Sequence, residues 1–387
     1  MSRPVLHVRA RARSGRDAAP SGDLKVLHVL SSLQPSGAEI CLRIAGSAWH
    51  GLGIKCDILA TGSVVGPYAT QLRDAAYRVG HLSLDPFSRF VPRFLRLLRH
   101  EKYDIVHTHI ERANFYVDLM AFAADAKVIQ QLHGLFVFDG NLRIERTIQR
   151  RLLSLLGVRF IAVSEDVAAN ERERFGTEAE VFLNWADVDY FDLPSMEQRR
   201  SARASFGLRE DDYVIVSVAN CHAIKNHLTA VEALSMLPSH VRWLHVGSGV
   251  TEGQEREAAE RLGVAERMTF LGHRDPRPAL HAADLFAMNS HSEGLGLSAV
   301  EALVTGLPAV LSDVRGLRNL RHFDVAAYWC DVTATSLADN IRRAMVTPPE
   351  GSVNALRSAF DASKRVPMLA TLYRDLRQGT ARQPSAT

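Results

Sequence analysis

The chain has 387 residues, 47% of them hydrophobic and 23% charged, which is length for two or three domains at about 100–200 residues each. Lys and Arg number 46 against 43 Asp and Glu, and the resulting +3, with no dense basic stripe, excludes a dedicated nucleic-acid binder. Cys41, Cys56, Cys221 and Cys330 lie far apart without CxxC spacing, which argues against a structural zinc site and a disulfide framework and for a reducing cytosol; no apolar run is long enough to span a membrane.

Residues 1–23, MSRPVLHVRARARSGRDAAPSGD, lack the apolar stretch of a secretory signal and carry Arg3, Arg9, Arg11, Arg13 and Arg16. They read as a disordered basic leader, with a transit peptide as the alternative. LKVLHVLSSL (24–33) is a buried strand, AEICLRIAGSAWHGLG (38–53) a helix closed by glycines, and IKCDILATG (54–62) the next strand. A helix over 67–79, a strand over 77–84, a helix over 86–101, the strand YDIVHTH (103–109), a helix near 112–124 and the strand AKVIQQLHG (126–134) continue the alternation. A helix near 143–156, the strand RFIAVSE (159–165) and the helix VAANERERFG (167–176) complete the first half.

The rhythm breaks over 185–212, where turn residues, charges and a short helix mix, and restarts at YVIVSVAN (213–220). The strands VRWLHVGSG (241–249), RMTFLGH (267–273), ADLFAMNS (283–290) and LPAVLSD (307–313) follow. Such βα repetition builds parallel sheets with helices on both faces. The predicted fold is α/β, with two doubly wound Rossmann-like domains over 24–187 and 206–350, joined by a linker over 188–205. C-terminal helices over 351–376 are expected to pack back toward the first domain, and 377–387 to be a disordered tail. Ligands of such sheets bind outside the carboxyl ends of the strands, so the cleft between the domains is the expected site.

The densest chemical signal is SHSEGLGLSAVEALVTGLPAVLSD over 290–313. Glu293 falls on a loop after a strand, with Gly294 and Gly296 behind it, and a helix starting near Leu297–Ser298 carries Glu301 in its first turns. Free N–H groups at the helix start and close-approach glycines suit a phosphate, and the two carboxylates suit sugar hydroxyls on either side of it. Read as an isolated segment, Ser298 and Glu301 form a capping box equally well, and Glu293 reads as a solvated loop acid. HVGSG (245–249) offers a glycine pair without the third glycine of a dinucleotide fingerprint.

In context, the sequence resembles the retaining family 4 glycosyltransferases, which have the two-domain GT-B fold. Glu293 and Glu301 stand at the E-x7-E motif, and GLGLSAVEALVTGLPAV follows the family's EGFGLxxxEAMAxGxPVV pattern. Ser36-Gly37-Ala38-Glu39 matches its GGAE loop, YDIVHTH its DIVHxH block, LHG (132–134) and VSE (163–165) two more. FLNWADVDYF (182–191), VANCHAIKNH (218–227), HVGSG and FLGH (270–273) complete the series in order, so the resemblance runs from about 24 to 345.

The resemblance implies a nucleotide-sugar donor held by the second domain and an acceptor entering from the first. Glu301 would bind the ribose, Glu293 the donor sugar, and the backbone around Gly294, Leu295, Gly296 and Leu297 the sugar and diphosphate. Lys225 would neutralise the diphosphate as charge grows on the leaving oxygen. Gly37 would bring a backbone amide to it, and Asn220, His222, His273 and Arg274 fall at further donor-side positions. His133 would approach the reacting centre together with Glu293 and Lys225, and His109 the acceptor side. His107 and His109 share a strand face, a potential metal pair without a third ligand cluster; the family requires no catalytic metal, and no cofactor is expected.

Three departures stand out: Asn220 where the family has arginine, with His222 as the candidate substitute; Gly316-Leu317-Arg318-Asn319 where a glutamate is usual; and Trp185 in place of glycine. Beside a glycosyltransferase of polysaccharide or lipid-linked glycan assembly stand a nucleotide-sugar epimerase on the same fold and a non-catalytic sugar-nucleotide-binding scaffold, the latter motivated by Asn220 and Asn319; a dinucleotide oxidoreductase is a distant fourth. Two basic helices, over 86–102 with Arg89, Arg93, Arg96 and Arg99 and over 143–157, read first as helices packed on the sheet and second as contacts for an anionic membrane. The expected location is the cytoplasm, peripheral on the membrane in the second case.

Overall fold

The computed structural model describes residues 23–380; the leader over 1–22 and the tail from 381 to 387 lie outside the described residues. The first domain is a seven-stranded parallel sheet of β1 (Leu24–Leu30), β2 (Ile54–Ala60), β3 (Arg78–His81), β4 (Ile105–Thr108), β5 (Lys127–Leu132), β6 (Arg159–Ala162) and β7 (Glu180–Val181), in the order β3-β2-β1-β4-β5-β6-β7. Between them run α1 (Gly37–Gly51), α2 (Ala69–Asp74), α3 (Phe87–Glu101), α4 (Asn114–Phe122), α5 (Gly140–Leu155) and α6 (Glu165–Phe175). The central strands β1, β2, β4 and β5 are buried on both faces, which is why they read as near-continuous apolar runs.

The second domain opens with α7 (Met196–Ser205) and then β8 (Tyr213–Val218), α8 (His227–Met236), β9 (Val241–Val246), α9 (Glu252–Arg261), β10 (Met268–Phe270), α10 (Arg277–Ala282) and β11 (Leu285–Met288). It closes with α11 (Leu297–Val304), β12 (Ala309–Ser312), β13 (Ala327–Cys330), α12 (Ala334–Val346) and α13 (Val353–Phe360), the six strands ordered β10-β9-β8-β11-β12-β13. Both sheets reverse direction of growth once, at β1/β4 and at β8/β11, and the loops that leave those strands diverge to open a binding crevice.

Several bounds differ from the sequence reading for local reasons. The helix expected from 167 starts at Glu165, because Ser164 caps it by accepting from the Val167 N–H at 3.3 Å. β13 was not expected at all; AYWC is short and only half-buried. α7, inside the expected linker, belongs to the second domain: Arg199 and Arg203 reach the Asp284 carboxylate at 2.6 and 3.3 Å, and Ser195 and Gln198 form a reciprocal capping box.

The chain crosses between domains twice, side by side. Ala186 N–H donates to Phe360 O at 2.8 Å and Ala362 N–H donates back to Ala186 O at 3.2 Å. After the second crossing α14 (Ala362–Gln378) lies on the first domain, burying Val366, Leu369, Ala370 and Tyr373 in the core beneath α1. No helix of the described residues is long and apolar enough to cross a membrane.

Candidate active site

The loops leaving β8 and β11, the two strands at the second sheet's reversal, meet through one ion pair. Lys225 Nζ stands 2.6 Å from Glu293 Oε1, and Ser290 Oγ donates to the same oxygen at 2.7 Å. Glu293 is nearly buried while Lys225 is half-buried, so the ammonium faces the cleft from a fixed carboxylate. Behind Glu293, Gly296 takes φ +76 as the N-cap of α11 and offers no side-chain cap, which leaves the first N–H groups of the helix open to an anion.

The capping-box reading of this helix is not realised, because Ser298 Oγ donates to Val218 O at 2.7 Å instead. Glu301 is 5% exposed, and burial pushes its carboxyl up to about 8. The Arg43 guanidinium, from α1 of the other domain, pulls it down, and Asp275 pushes it further up. Asp275 follows His273 and Arg274, which are both exposed on the loop after β10. Leu295 is buried and Leu297 half-buried.

Asn220 is half-buried, and its carbonyl accepts a long bond from His227 Nε2 at 3.4 Å. His222 is exposed and caps the short turn Ala223–Lys225, its Nδ1 accepting from the Ile224 N–H at 3.4 Å. It therefore shapes the turn that carries Lys225.

From the first domain, loops close on the same point. A Cβ at Gly294 would stand 2.0 Å from His133 O, so only glycine lets the two loops touch. Ser164 Oγ donates to Gly294 O at 2.6 Å. Asn319 explains its own departure from the family pattern: Oδ1 accepts from the Glu165 N–H at 3.1 Å, and Nδ2 donates to Asp166 Oδ2 at 2.8 Å. Asp166 also accepts from the Gly316 N–H at 2.7 Å, making a clasp from α6 to the turn after β12.

Gly37 opens α1, and a Cβ there would meet only Asn184 Nδ2, at 4.0 Å, so the approach to this backbone is clear. Glu39 sits in the first turn, bonded to Ser36 Oγ, with its carboxyl raised by burial. Trp185 is buried and pins the crossing to α1: its Nε1 donates to Cys41 O at 2.9 Å, and Cys41 Sγ donates to Trp185 O at 3.3 Å.

His133 is the end of a chain of imidazoles. His109 Nδ1 lies 2.9 Å from His133 Nε2, and His28 Nδ1 lies 3.0 Å from His109 Nε2. The sequence reading missed His28; one histidine in the apolar β1 was its only signal, and the parallel register that pairs it with His107 comes from the fold. His28, His107 and His109 thus form a three-histidine group, correcting the expectation that no third ligand exists. His107 is buried and bonds Tyr373 OH of α14 at 2.7 Å, a packing role. Burial lowers His28 to about 3, His133 to about 4 and His109 well below its ordinary value, so the chain is neutral at pH 7. His28 Nε2 is buried without a partner among the described residues. With protons donated from His28 toward His133, His133 carries its proton on Nδ1 and His28 Nε2 keeps a lone pair; the reverse order would leave His28 Nε2 an unmatched N–H.

Residues 35–190 match the family model described as Glycosyltransferase Family 4, and residues 198–359 the one described as Glycosyl transferases group 1. The chain is 25% identical over 306 residues to the UDP-Gal:alpha-D-GlcNAc-diphosphoundecaprenol alpha-1,3-galactosyltransferase of Escherichia coli, covering 73% of this chain and 78% of that one. It is 26% identical over 380 residues to a D-inositol 3-phosphate glycosyltransferase of Nocardia farcinica, covering 87% of this chain and 81% of the other. Among solved structures, Anabaena HepE in complex with UDP and glucose superposes with a TM-score of 0.75 at 21% identity, over 90% of this chain and 99% of that chain. Sucrose-phosphate synthase from Thermosynechococcus elongatus gives 0.73 at 16%, over 92% and 100%. The two facing domains are the GT-B arrangement expected from the sequence, and these relatives lend no support to the epimerase or scaffold readings.

Proposed function

This chain belongs to the family 4, group 1 glycosyltransferases, and from that premise we propose that it moves a sugar, with retention and without a metal or other cofactor, from a nucleoside diphosphate to a glycan or lipid-linked hydroxyl. The observation that carries the assignment is the Lys225–Glu293 pair beside the uncapped start of α11, facing the open Gly37 loop. In this reading Lys225 and the α11 N–H groups stabilise the diphosphate as the glycosidic bond breaks. Glu293 orients the sugar, Glu301 accepts from the ribose hydroxyls, and the departing phosphate takes the proton of the acceptor hydroxyl. His133, neutral and carrying its proton on Nδ1, donates a hydrogen bond to the sugar. Leu295 and Leu297 shape the loop, and His109 orients His133 while lining the acceptor side. Asn220, His222, His273 and Arg274 stand at the donor rim, the last two exposed and free to move onto a nucleotide.

The acceptor side suits a lipid surface on the cytoplasmic face. α3 buries Phe90, Phe94 and Leu98 in the core, and its Arg89, Arg93, Arg96 and Arg99 are exposed and without ion pairs among the described residues. α5 instead turns Ile144, Ile148, Leu152 and Leu155 outward, beside Arg143 and Arg151. An exposed apolar stripe flanked by arginines fits an anionic bilayer, and no nucleic acid is needed to explain the charge.

The test is transfer from UDP-glucose, UDP-galactose or UDP-N-acetylglucosamine to a polyprenyl-diphosphate sugar in excess EDTA, with the anomer read by NMR. Transfer with retained configuration supports the reading. Turnover of the donor without acceptor, or product with inverted configuration at the anomeric carbon, contradicts it.

A further inference from the structure

Below the loop that carries Asn220, His222 and Lys225, three buried groups from separate elements converge. Cys221, His245 of β9 and Glu255 of α9 are 1%, 0% and 1% exposed, and their ligand atoms all lie within 4.8 Å of one another. Cys221 Sγ stands 3.3 Å from His245 Nε2. Zinc bound to sulfur and imidazole at ordinary lengths sets those two atoms about 3.5 Å apart in a tetrahedron.

Each ligand is held by a partner on its far side. His245 Nδ1 bonds Ser217 Oγ at 2.9 Å, and Ser217 Oγ also accepts from Trp243 Nε1 at 3.0 Å. That orientation directs Nε2 at the thiol, as outer partners orient metal-binding imidazoles. Glu255 Oε1 accepts from Thr251 Oγ1 at 2.7 Å, while Oε2 is buried with no partner among the described residues. No cation pairs with this carboxylate among the described residues: the neighbouring Arg256 is bonded to Glu252 and lies over the Phe270 ring. An ionised carboxylate in that position is costly without a counter-charge.

We propose that Cys221, His245 and Glu255 bind a structural divalent transition metal of the zinc type, which fastens the donor loop to β9 and α9. The dication, the thiolate, the carboxylate and the neutral imidazole sum to zero charge, and binding releases one proton, that of the Cys221 thiol. His227, whose ring lies 4.2 Å from that of His245, packs beside the group, its Nε2 turned to Asn220 O. The ion touches no reacting atom and acts on the proposed glycosyl transfer only through the loop that carries Lys225. It departs from the expectation of no zinc site drawn from cysteine spacing, because the ligands come from three elements and not from a CxxC turn.

The test uses the full chain stripped with a chelator and titrated with Co²⁺. A thiolate-to-cobalt charge-transfer band that saturates at one equivalent, is displaced by Zn²⁺ and disappears in Cys221→Ser is the expected result. Glu255→Gln weakens Zn²⁺ binding about ten-fold or more. The paired change His28→Gln and His107→Gln leaves the band intact. No band at millimolar Co²⁺, a band that survives Cys221→Ser, or a band lost only with His28 and His107 would overturn the proposal.

Discussion

Lys225 and Glu293 come from different loops and hold each other at 2.6 Å, so each depends on the other's charge. Replacing Lys225 with Ala removes the cation proposed to meet the leaving diphosphate and leaves the buried Glu293 to Ser290 alone. The expected loss in kcat is about 10²-fold or more; steady-state kinetics showing less than about a threefold change would remove Lys225 from the machinery. Glu301 carries the pH signature. Its carboxyl, raised to about 8 in the native state against about 4.5 in the unfolded chain, holds a proton on folding throughout that window. The native state therefore binds more protons, and stability falls as pH rises from about 5 to 8. Glu301→Gln should flatten the dependence of Tm on pH across that range, and an unchanged slope would contradict the assignment. His133, lowered to about 4, stays neutral over the working range. His133→Ala should cut kcat/KM by about 10²-fold without altering the shape of the profile between pH 6 and 8. A wild-type limb near 6.5 that vanishes in the variant would show that His133 titrates there after all.

At the scale of elements, α3 and α5 divide two tasks that their sequences share. Both are basic and amphipathic, but α3 uses its phenylalanines to pack on the sheet while α5 leaves Ile148 and Leu152 outside. Ile148→Asp with Leu152→Asp should abolish flotation with anionic vesicles and spare nucleotide binding, whereas unchanged flotation would point to electrostatics from α3 alone. The βα rhythm, the E-x7-E loop and the bounds of α11 were legible because they rest on period and on residues close in sequence. Partnerships that folding creates were not legible. His28 meets His109 across 81 positions, and Asn319 meets Glu165 across 154, with no local pattern to announce either. Asn319 looked like a lost glutamate and is a clasp between domains; Trp185 looked like an altered linker and is an anchor onto α1. α7 was readable in principle, since the capping box of Ser195 and Gln198 stood in the sequence within what seemed to be a linker.

For the whole molecule, the two sheets present their reversal points to one cleft, and the chain crosses below it at Ala186 and Phe360 side by side. Gly294 against His133, Ser164 against Gly294 and the Asp166–Asn319 clasp hold the loops of both domains together at the donor position. The Arg43 guanidinium of the first domain acts electrostatically on Glu301 of the second. The central claim is that a nucleoside diphosphate sugar occupies this place. It is tested most directly by thermal shift of wild type and Glu301→Ala against UDP-, GDP-, ADP- and dTDP-sugars without added metal. A ligand that binds only the native state must raise its Tm. The account predicts stabilisation by one nucleotide class, lost in the variant; no shift with any donor, or an equal shift in both proteins, would contradict it.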